Sequence, residues 1–275
     1  WAELLKYKPK YNDYEYPQVS IVIPTFNNSE KLPLTLDSLL SQHYPDFEII
    51  IVDGGSSDRT LEVAKNYRDD RIHIYSVSGF ARYEMLNKGI SQAAGDYVNC
   101  LFPGDFYIYP DTLHHMMELV LDRDKPDMVF CGTLIRDGRT DPKILLRQLN
   151  CKFLKRGQQP TSLQSCWFRT NTIRQLGKFN TDYNLRGGYE LMCRFCLDCE
   201  LRKEASNRVL TDYDLRLVTL SMVTSHFLET FKTIYKYFGF FTLFKWLFIQ
   251  KDLRRIFRIW FHSVKVAFMG PYSCI

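Results

Sequence analysis

Val19-Ser20-Ile21-Val22-Ile23-Pro24 is a short β-branched run closed by proline, the pattern of a buried strand. Thr25–Ser29 follows as a loop rich in cap-forming residues. Leu32, Leu36, Leu39 and Leu40 then recur at helical spacing up to Gln42. Phe47–Val52 is a second apolar strand and runs into the turn Asp53–Asp58. A helix is expected from about Thr60 to Tyr67, a strand over Arg71–Val77, a helix over Tyr83–Ala94 and a fourth strand over Tyr97–Phe102. Strands alternating with helices predict an α/β fold with a parallel sheet.

In such sheets ligands bind beyond the carboxyl ends of the strands. Three successive strand ends here carry polar or tight-turn residues: Pro24–Asn27, Asp53–Asp58 and Pro103–Asp105. Each alone reads as an ordinary turn; together they predict one site assembled from three loops. Asp105, after a Pro-Gly turn, suits a hard divalent cation, because Mg²⁺ and Mn²⁺ take one or two carboxylates together with phosphate oxygens. Asp53 can accept hydrogen bonds from a base or ribose, and Gly54 and Gly55 let a ligand approach the backbone. Lys88 can meet a phosphate or stand as a solvated helix lysine. There is no P-loop, and no G-x-G-x-x-G follows the first strand.

Composition changes the picture mainly at the C-terminal end. With 45% hydrophobic and 24% charged residues over 275 positions, disorder, collagen and coiled coil are excluded as whole-chain readings. The net charge of +5 is unevenly spread. Residues 226–275 hold eight Lys/Arg against two Asp/Glu, and 15 of the 41 aromatics; the remainder is close to neutral. A nucleic-acid binder would be more uniformly basic, so no nucleic-acid partner is expected. No apolar stretch in the C-terminal third approaches the roughly 20 residues of a spanning helix.

Instead, Phe227, Leu228, Phe231, Ile234, Tyr235 and Phe238 fall at helical spacing, as do Leu253, Ile256, Phe257, Trp260, Phe261 and Val264. Lys232, Lys236, Lys245, Lys251, Arg254, Arg255, Arg258 and Lys265 lie among them. Basic, aromatic, amphipathic helices suit an anionic membrane surface; the alternative is two helices packed on the domain with their basic edge in water. The expected division is an arm over 1–16, a domain over 17–225 and a helical extension over 226–275.

The eight cysteines sit mostly in apolar or helical patterns, as free buried thiols do. This predicts a reducing, cytoplasmic setting. Cys193, Cys196 and Cys199 are three apart and read either as packed helix residues or as metal ligands. The chain begins at Trp1, so its true N-terminus is expected to be missing or processed, and residues 1–16 hold no signal-like apolar run.

Val19–Asn27 (VSIVIPTFN), Ile50–Thr60 (IIVDGGSSDRT), Tyr83–Ile90 (YEMLNKGI) and Gly95–Asp105 (GDYVNCLFPGD) resemble the nucleotide-sugar half of the family 2 glycosyltransferases. Gln164–Arg169 (QSCWFR), Gly177-Lys178-Phe179 and Tyr189–Arg194 (YELMCR) resemble the acceptor half. The resemblance covers roughly residues 17–225. It implies a GT-A (Rossmann-like) fold, a mixed, mainly parallel sheet flanked by helices, and an inverting sugar transfer from a nucleoside-diphosphate sugar, UDP-sugar favoured, to a hydroxyl of a glycan or lipid-linked acceptor. On this resemblance Pro24, Thr25, Phe26 and Asn27, with Asp53, Gly54, Gly55 and Ser56, would hold the nucleoside. Tyr83, Asn87, Lys88, Pro103 and Gly104 would complete the donor site. Asp105 matches the last carboxylate of the family's DxD-type motif and would bind Mn²⁺ or Mg²⁺ on the diphosphate. Gln164, Trp167 and Arg169 would line the acceptor side, with core packing the alternative for Trp167.

The chain departs from the family pattern at several points. Phe102 and Pro103 occupy the region of the first DxD-type carboxylate. Gly188 stands where the family carries an Asp base. Glu190 is the nearest carboxylate, roughly 200° further round a helix, and reads equally as base or as structural ion pair. Asp182 and Asp198 are further candidates. Gly79 stands where relatives often carry Asp, and Leu163 where they often carry His. Residues 151–160 read as a mobile loop leading into the cleft. Three readings follow: an enzyme of cell-surface polysaccharide or lipid-linked glycan assembly at the cytoplasmic membrane face, a catalytically impaired relative that binds nucleotide, glycan or a partner, and a membrane-surface scaffold.

Overall fold

The apolar runs pair side by side as strands. The computed structural model describes residues 16–79, 81–138, 140–215 and 219–249. β1 (Val19–Thr25) lies between β2 (Phe47–Asp53) and β4 (Tyr97–Cys100), parallel to both, and β3 (Ile72–Ser76) adds in parallel to β2. Every residue of β1 is buried, as an inner strand covered on both faces requires. β7 (Cys166–Arg169) runs antiparallel to β4 and to β5 (Met128–Arg136). β6 (Lys143–Leu145) pairs antiparallel, and β8 (Lys203–Asp214) parallel, with β5. The described residues thus form one mixed sheet in the order β3-β2-β1-β4-β7-β5-β6, with β8 on β5.

Two apolar cores sandwich this sheet. One gathers α1 (Leu32–Leu40) and α4 (Thr112–Asp122), with Ala64 of α2 (Thr60–Asn66), against Ile21, Ile23, Ile49 and Ile51. The other gathers α3 (Arg82–Gln92), α6 (Thr170–Gln175) and α7 (Gly187–Leu197) against Val22, Ile50, Val52 and Val98, with α5 (Cys151–Leu154) contributing Leu154. Glycine is required where α3 crosses β1, since a Cβ on Gly89 would stand 2.3 Å from a Val22 methyl.

The expected helix over Phe227–Phe238 is part of α8 (Leu220–Ile249), which is broken at Gly239 by a left-handed φ of 77°. This C-terminal helix packs on the domain, with Ile234, Leu243 and Trp246 buried within the second core. None of the described helices is long and apolar enough to cross a membrane. The arm before Tyr16 and the second apolar set, Leu253–Val264, lie outside the described residues. The segment expected as a loop over 151–160 begins as α5, capped by the Asn150 side chain on the Phe153 N–H (3.1 Å).

Candidate active site

Parallel strands place the ends of β1, β2 and β4 on one edge of the sheet. The first two loops interlock. The Gly54 N–H donates to the Thr25 carbonyl (2.9 Å), and the Asn27 N–H to Ser56 Oγ (2.9 Å). Asn27 takes a left-handed φ of 52° and accepts from the Ser57 N–H (2.9 Å) through Oδ1. Asp53 is fully buried and caps its own turn, accepting from the Gly55 N–H (3.0 Å), the Ser56 N–H (2.9 Å) and Ser56 Oγ (2.5 Å). Gly55 sits at φ 89°, so the turn needs a glycine there. Pro24, Thr25, Phe26, Asn27, Asp53, Gly54, Gly55 and Ser56 are therefore brought together, with Phe26 half-buried and Asn27 exposed.

The third turn is fastened to α1. Thr35 Oγ1 donates to the Asp105 carbonyl (2.8 Å) and accepts from the Gly104 N–H (2.9 Å). Asp105 is 3% exposed. Its carboxylate accepts from Gln164 Nε2 (2.6 Å) and from the Asp214 N–H (3.1 Å). Burial pushes this carboxyl up to about 7; the two hydrogen bonds oppose that shift, and the charges of Asp212 and Asp214 add to it. A divalent cation would offset the negative charge that Asp212 and Asp214 crowd around this carboxyl. Among the described residues no three acidic, His or Cys side chains converge as a metal cage. The donor set therefore fits an ion that takes its remaining ligands from phosphate and water.

Asp105 opens into a cavity of about 650 Å³. Of the expected site residues, Asp105, Pro103, Tyr83 and Gln164 line it, and so does Gly188. Sequence reading missed the cationic wall: Lys31, Arg82, Arg147 and Arg186, with His226 and Asp214. Arg186 is buried and forms no ion pair with the described residues. It donates to the Gly157 carbonyl (2.7 Å), to Thr230 Oγ1 (3.1 Å) and to Gln159 Oε1, and its guanidinium lies 4.2 Å from the Tyr189 ring centroid. Burial lowers its affinity for its proton below that of an ordinary arginine. The signal for Arg186 was its place just before Gly187-Gly188, at the mouth of α7.

Several expected site residues lie away from this cavity. Glu190 does not line the cavity: it is buried against α8, paired with Arg194 (2.8 Å) and Lys236 (3.4 Å) and accepting from the Tyr237 hydroxyl (2.5 Å). The ion-pair reading of Glu190 is the one its contacts fit. Trp167 is fully buried in the core beside Tyr107, ring centroids 5.8 Å apart, because β7 is an inner strand. Arg169 pairs in register with Tyr97, at the opposite end of β4 from Asp105. Asn87 is spent on the Phe179 backbone, donating to its carbonyl (2.8 Å) and accepting from its N–H (2.9 Å). Lys88 is exposed, 6.0 Å from the Tyr75 ring centroid, and does not line the cavity. Gly104 lies behind the cavity wall, held by Thr35. Tyr83 keeps a structural duty as well, donating to the Leu185 carbonyl (2.9 Å) and accepting from the Gly188 N–H (3.3 Å).

Residues 20–185 match the family model described as Glycosyl transferase family 2. The chain belongs to glycosyl transferase family 2. This family 2 protein is 35% identical over 132 residues to an uncharacterised glycosyltransferase of Rickettsia typhi, a match covering 48% of the chain and 41% of that protein. It is 27% identical over 188 residues to a PGL/p-HBAD biosynthesis glycosyltransferase of Mycobacterium tuberculosis, covering 65% and 69% respectively. Among solved structures, Staphylococcus aureus TarS 1–349 in complex with UDP-GlcNAc matches with TM-score 0.65 at 17% identity, over 80% of this chain and 67% of that one. Mannosyltransferase PcManGT of Pyrobaculum calidifontis, in complex with GDP-Man and Mn²⁺, matches with TM-score 0.62 at 18% identity, over 86% and 69%. These likenesses establish the GT-A fold for the family 2 chain.

Proposed function

We propose that the protein transfers a sugar, with inversion, from a nucleoside-diphosphate sugar to a hydroxyl of a glycan or lipid-linked acceptor. UDP-sugar is the favoured donor, and the setting is cell-surface polysaccharide or lipid-linked glycan assembly at the cytoplasmic face of a membrane. The observation that carries this reading is the buried Asp105 at the closing turn of β4, opening into a cavity with a cationic wall. The interlocked loops of β1 and β2 receive the nucleoside. Lys31 and Arg82 stand on the wall to neutralise the diphosphate. Gln164 orients the Asp105 carboxylate, which would hold Mn²⁺ or Mg²⁺ together with diphosphate oxygens; the ion would stabilise charge on the leaving group. Support comes from the bound GDP-Man and Mn²⁺ of the mannosyltransferase and from the UDP-GlcNAc of TarS.

Inversion requires a group that takes the acceptor proton as the hydroxyl attacks. Asp105 and Asp214 are the carboxylates among the described lining residues, and with Asp105 committed to the ion, Asp214 takes that role. A second reading, a binder without efficient turnover, is favoured by the bare Gly188 and by Glu190 being held against α8.

The test is a panel of nucleotide sugars with Mn²⁺, read as released nucleoside diphosphate. Release that disappears in Asp105→Ala and on chelation supports the transferase. Nucleotide binding without release across the panel supports the second reading. Absence of any nucleotide binding sinks both and leaves a membrane-surface scaffold.

A further inference from the structure

The segment after β6 serves two cavities. Gly157, Gln158 and Gln159 line the catalytic one. Just before them, Lys152, Lys155 and Arg156 line a second cavity of about 440 Å³, closed by Thr242, Lys245 and Trp246 of α8. All four basic side chains are exposed. None of them forms an ion pair or a side-chain hydrogen bond with the described residues, although the Lys155 ammonium stands 5.8 Å from the Phe238 ring centroid. Earlier on α8 the situation is different: Lys232 pairs with Asp182 (3.6 Å) and Lys236 with Glu190 (3.4 Å). Four like charges around one pocket repel one another, and an anion between them would relieve that repulsion.

The surface beside this pocket is aromatic. After Gly239 the helix buries Leu243 and Trp246 and turns Phe240 (63% exposed), Phe241 (83%), Phe244 (52%) and Phe248 (72%) outward. Phe241, Phe244 and Phe248 share a helical face with Lys245, and the Phe244 and Phe248 ring centroids are 4.7 Å apart. Free phosphate would satisfy the cations and leave these rings in water. A lipid satisfies both, with its headgroup phosphate among the cations and its acyl boundary around the rings.

We propose that this pocket binds the phosphate headgroup of an anionic membrane lipid, with Phe240, Phe241, Phe244 and Phe248 inserted beside it. The inference rests on the membrane-surface reading above and deepens it by naming the residues, three of which lie outside the basic C-terminal stretch. It also ties the membrane contact to the active site, since the Gly157 carbonyl next to Arg156 accepts from Arg186 of the catalytic cavity.

The experiment is flotation of the full chain with phosphatidylcholine vesicles, with and without phosphatidylglycerol, for the wild type, K152S/K155S/R156S, F241S/F244S and the charge-matched control K65S/R68S/K143S. At about fivefold per basic residue at an anionic surface, the first triple variant loses roughly 100-fold of its affinity for anionic vesicles. The control loses far less. The phenylalanine variant weakens on both vesicle types. Nucleotide binding stays unchanged in all three variants, which shows that they fold. Equal losses in the two triple variants would overturn the headgroup pocket while leaving the membrane reading intact. No vesicle binding by the wild type would overturn both. A thermal shift with inorganic phosphate, removed by K152S/K155S/R156S and unaccompanied by vesicle binding, would make this a soluble-anion site and overturn the lipid.

Discussion

Gly187 and Gly188 are adjacent in sequence and opposite in what they tolerate. A Cβ on Gly188 would meet only Leu163 carbons at 3.6–3.7 Å, an ordinary contact, whereas one on Gly187 would stand 2.7 Å from the Tyr83 ring. Gly188→Asp therefore places a carboxylate on the cavity wall in the first turn of α7, where the helix dipole favours it by about 0.3–1 kcal/mol. The expected result is an unchanged or slightly raised Tm and an increase of about tenfold or more in sugar transfer. Gly187→Asp is expected to lose about 1–3 kcal/mol by overpacking, measured by urea denaturation. No gain in transfer from a folded Gly188→Asp would mean that Asp214 already suffices as the base or that proton removal does not limit turnover. His226 gives a second residue-scale test. Burial first, and the Arg186 charge second, lower its pKa from 6.5 to about 3. The folded chain keeps the ring neutral while the unfolded chain protonates it, so stability falls as pH drops from 6.5 toward 3. His226→Gln removes that component, and its Tm should decline less steeply than the wild type's over this range. Parallel Tm curves would show that His226 is not held neutral by the fold.

The elements before residue 105 were readable because each strand is a nearly unbroken apolar run and each helix carries a leucine or mixed stripe. Boundaries moved by a residue or two: β4 ends at Cys100 rather than Phe102, and α1 at Leu40 rather than Gln42. The second half resisted reading because polar side chains are buried among its apolar ones. β5 and β8 hold Thr133 and Thr211 inside a hydroxyl cluster with Ser162 and Ser165, and Arg136 and Asp212 form an ion pair (2.5 Å) between these two strands. Such side chains read as loop until their partners are known. The interlocking of the β1 and β2 loops and the burial of Asp105 at the turn after β4 followed strand ends that the sequence marked. The cationic wall was not so marked, since Arg82, Arg147 and Arg186 come from three distant segments. α8 was legible as a helix, and its packing on the domain was one of the two readings left open by the sequence. Its buried Ile234, Leu243 and Trp246 contribute roughly 1.5–3 kcal/mol each. Against a total stability of about 5–15 kcal/mol, that is a large share. Deletion of 226–275 is thus expected to abolish cooperative unfolding and leave aggregated protein. A well-folded truncated chain, by circular dichroism and thermal melt, would contradict the packing of this helix.

At the scale of the whole molecule, two cavities share one connecting segment, and one helix both completes a core and presents phenylalanine rings to the outside. A net charge of +5 concentrated toward the C-terminal end, set on a near-neutral body, acquires a location in this way: one of its lysines, Lys245, lines the second cavity, joined there by Lys152, Lys155 and Arg156. The exposed row of Phe240, Phe241, Phe244 and Phe248 has a consequence for the purified protein. Without lipid, these rings have only one another to hide against. Self-association should therefore grow with protein concentration, and a mild detergent above its micelle threshold should disperse it without changing nucleotide binding. Sedimentation velocity of the wild type beside F241S/F244S measures this directly, with the variant expected to remain monomeric. An oligomer seen in detergent-free buffer would then be a stand-in for the missing bilayer rather than a working assembly.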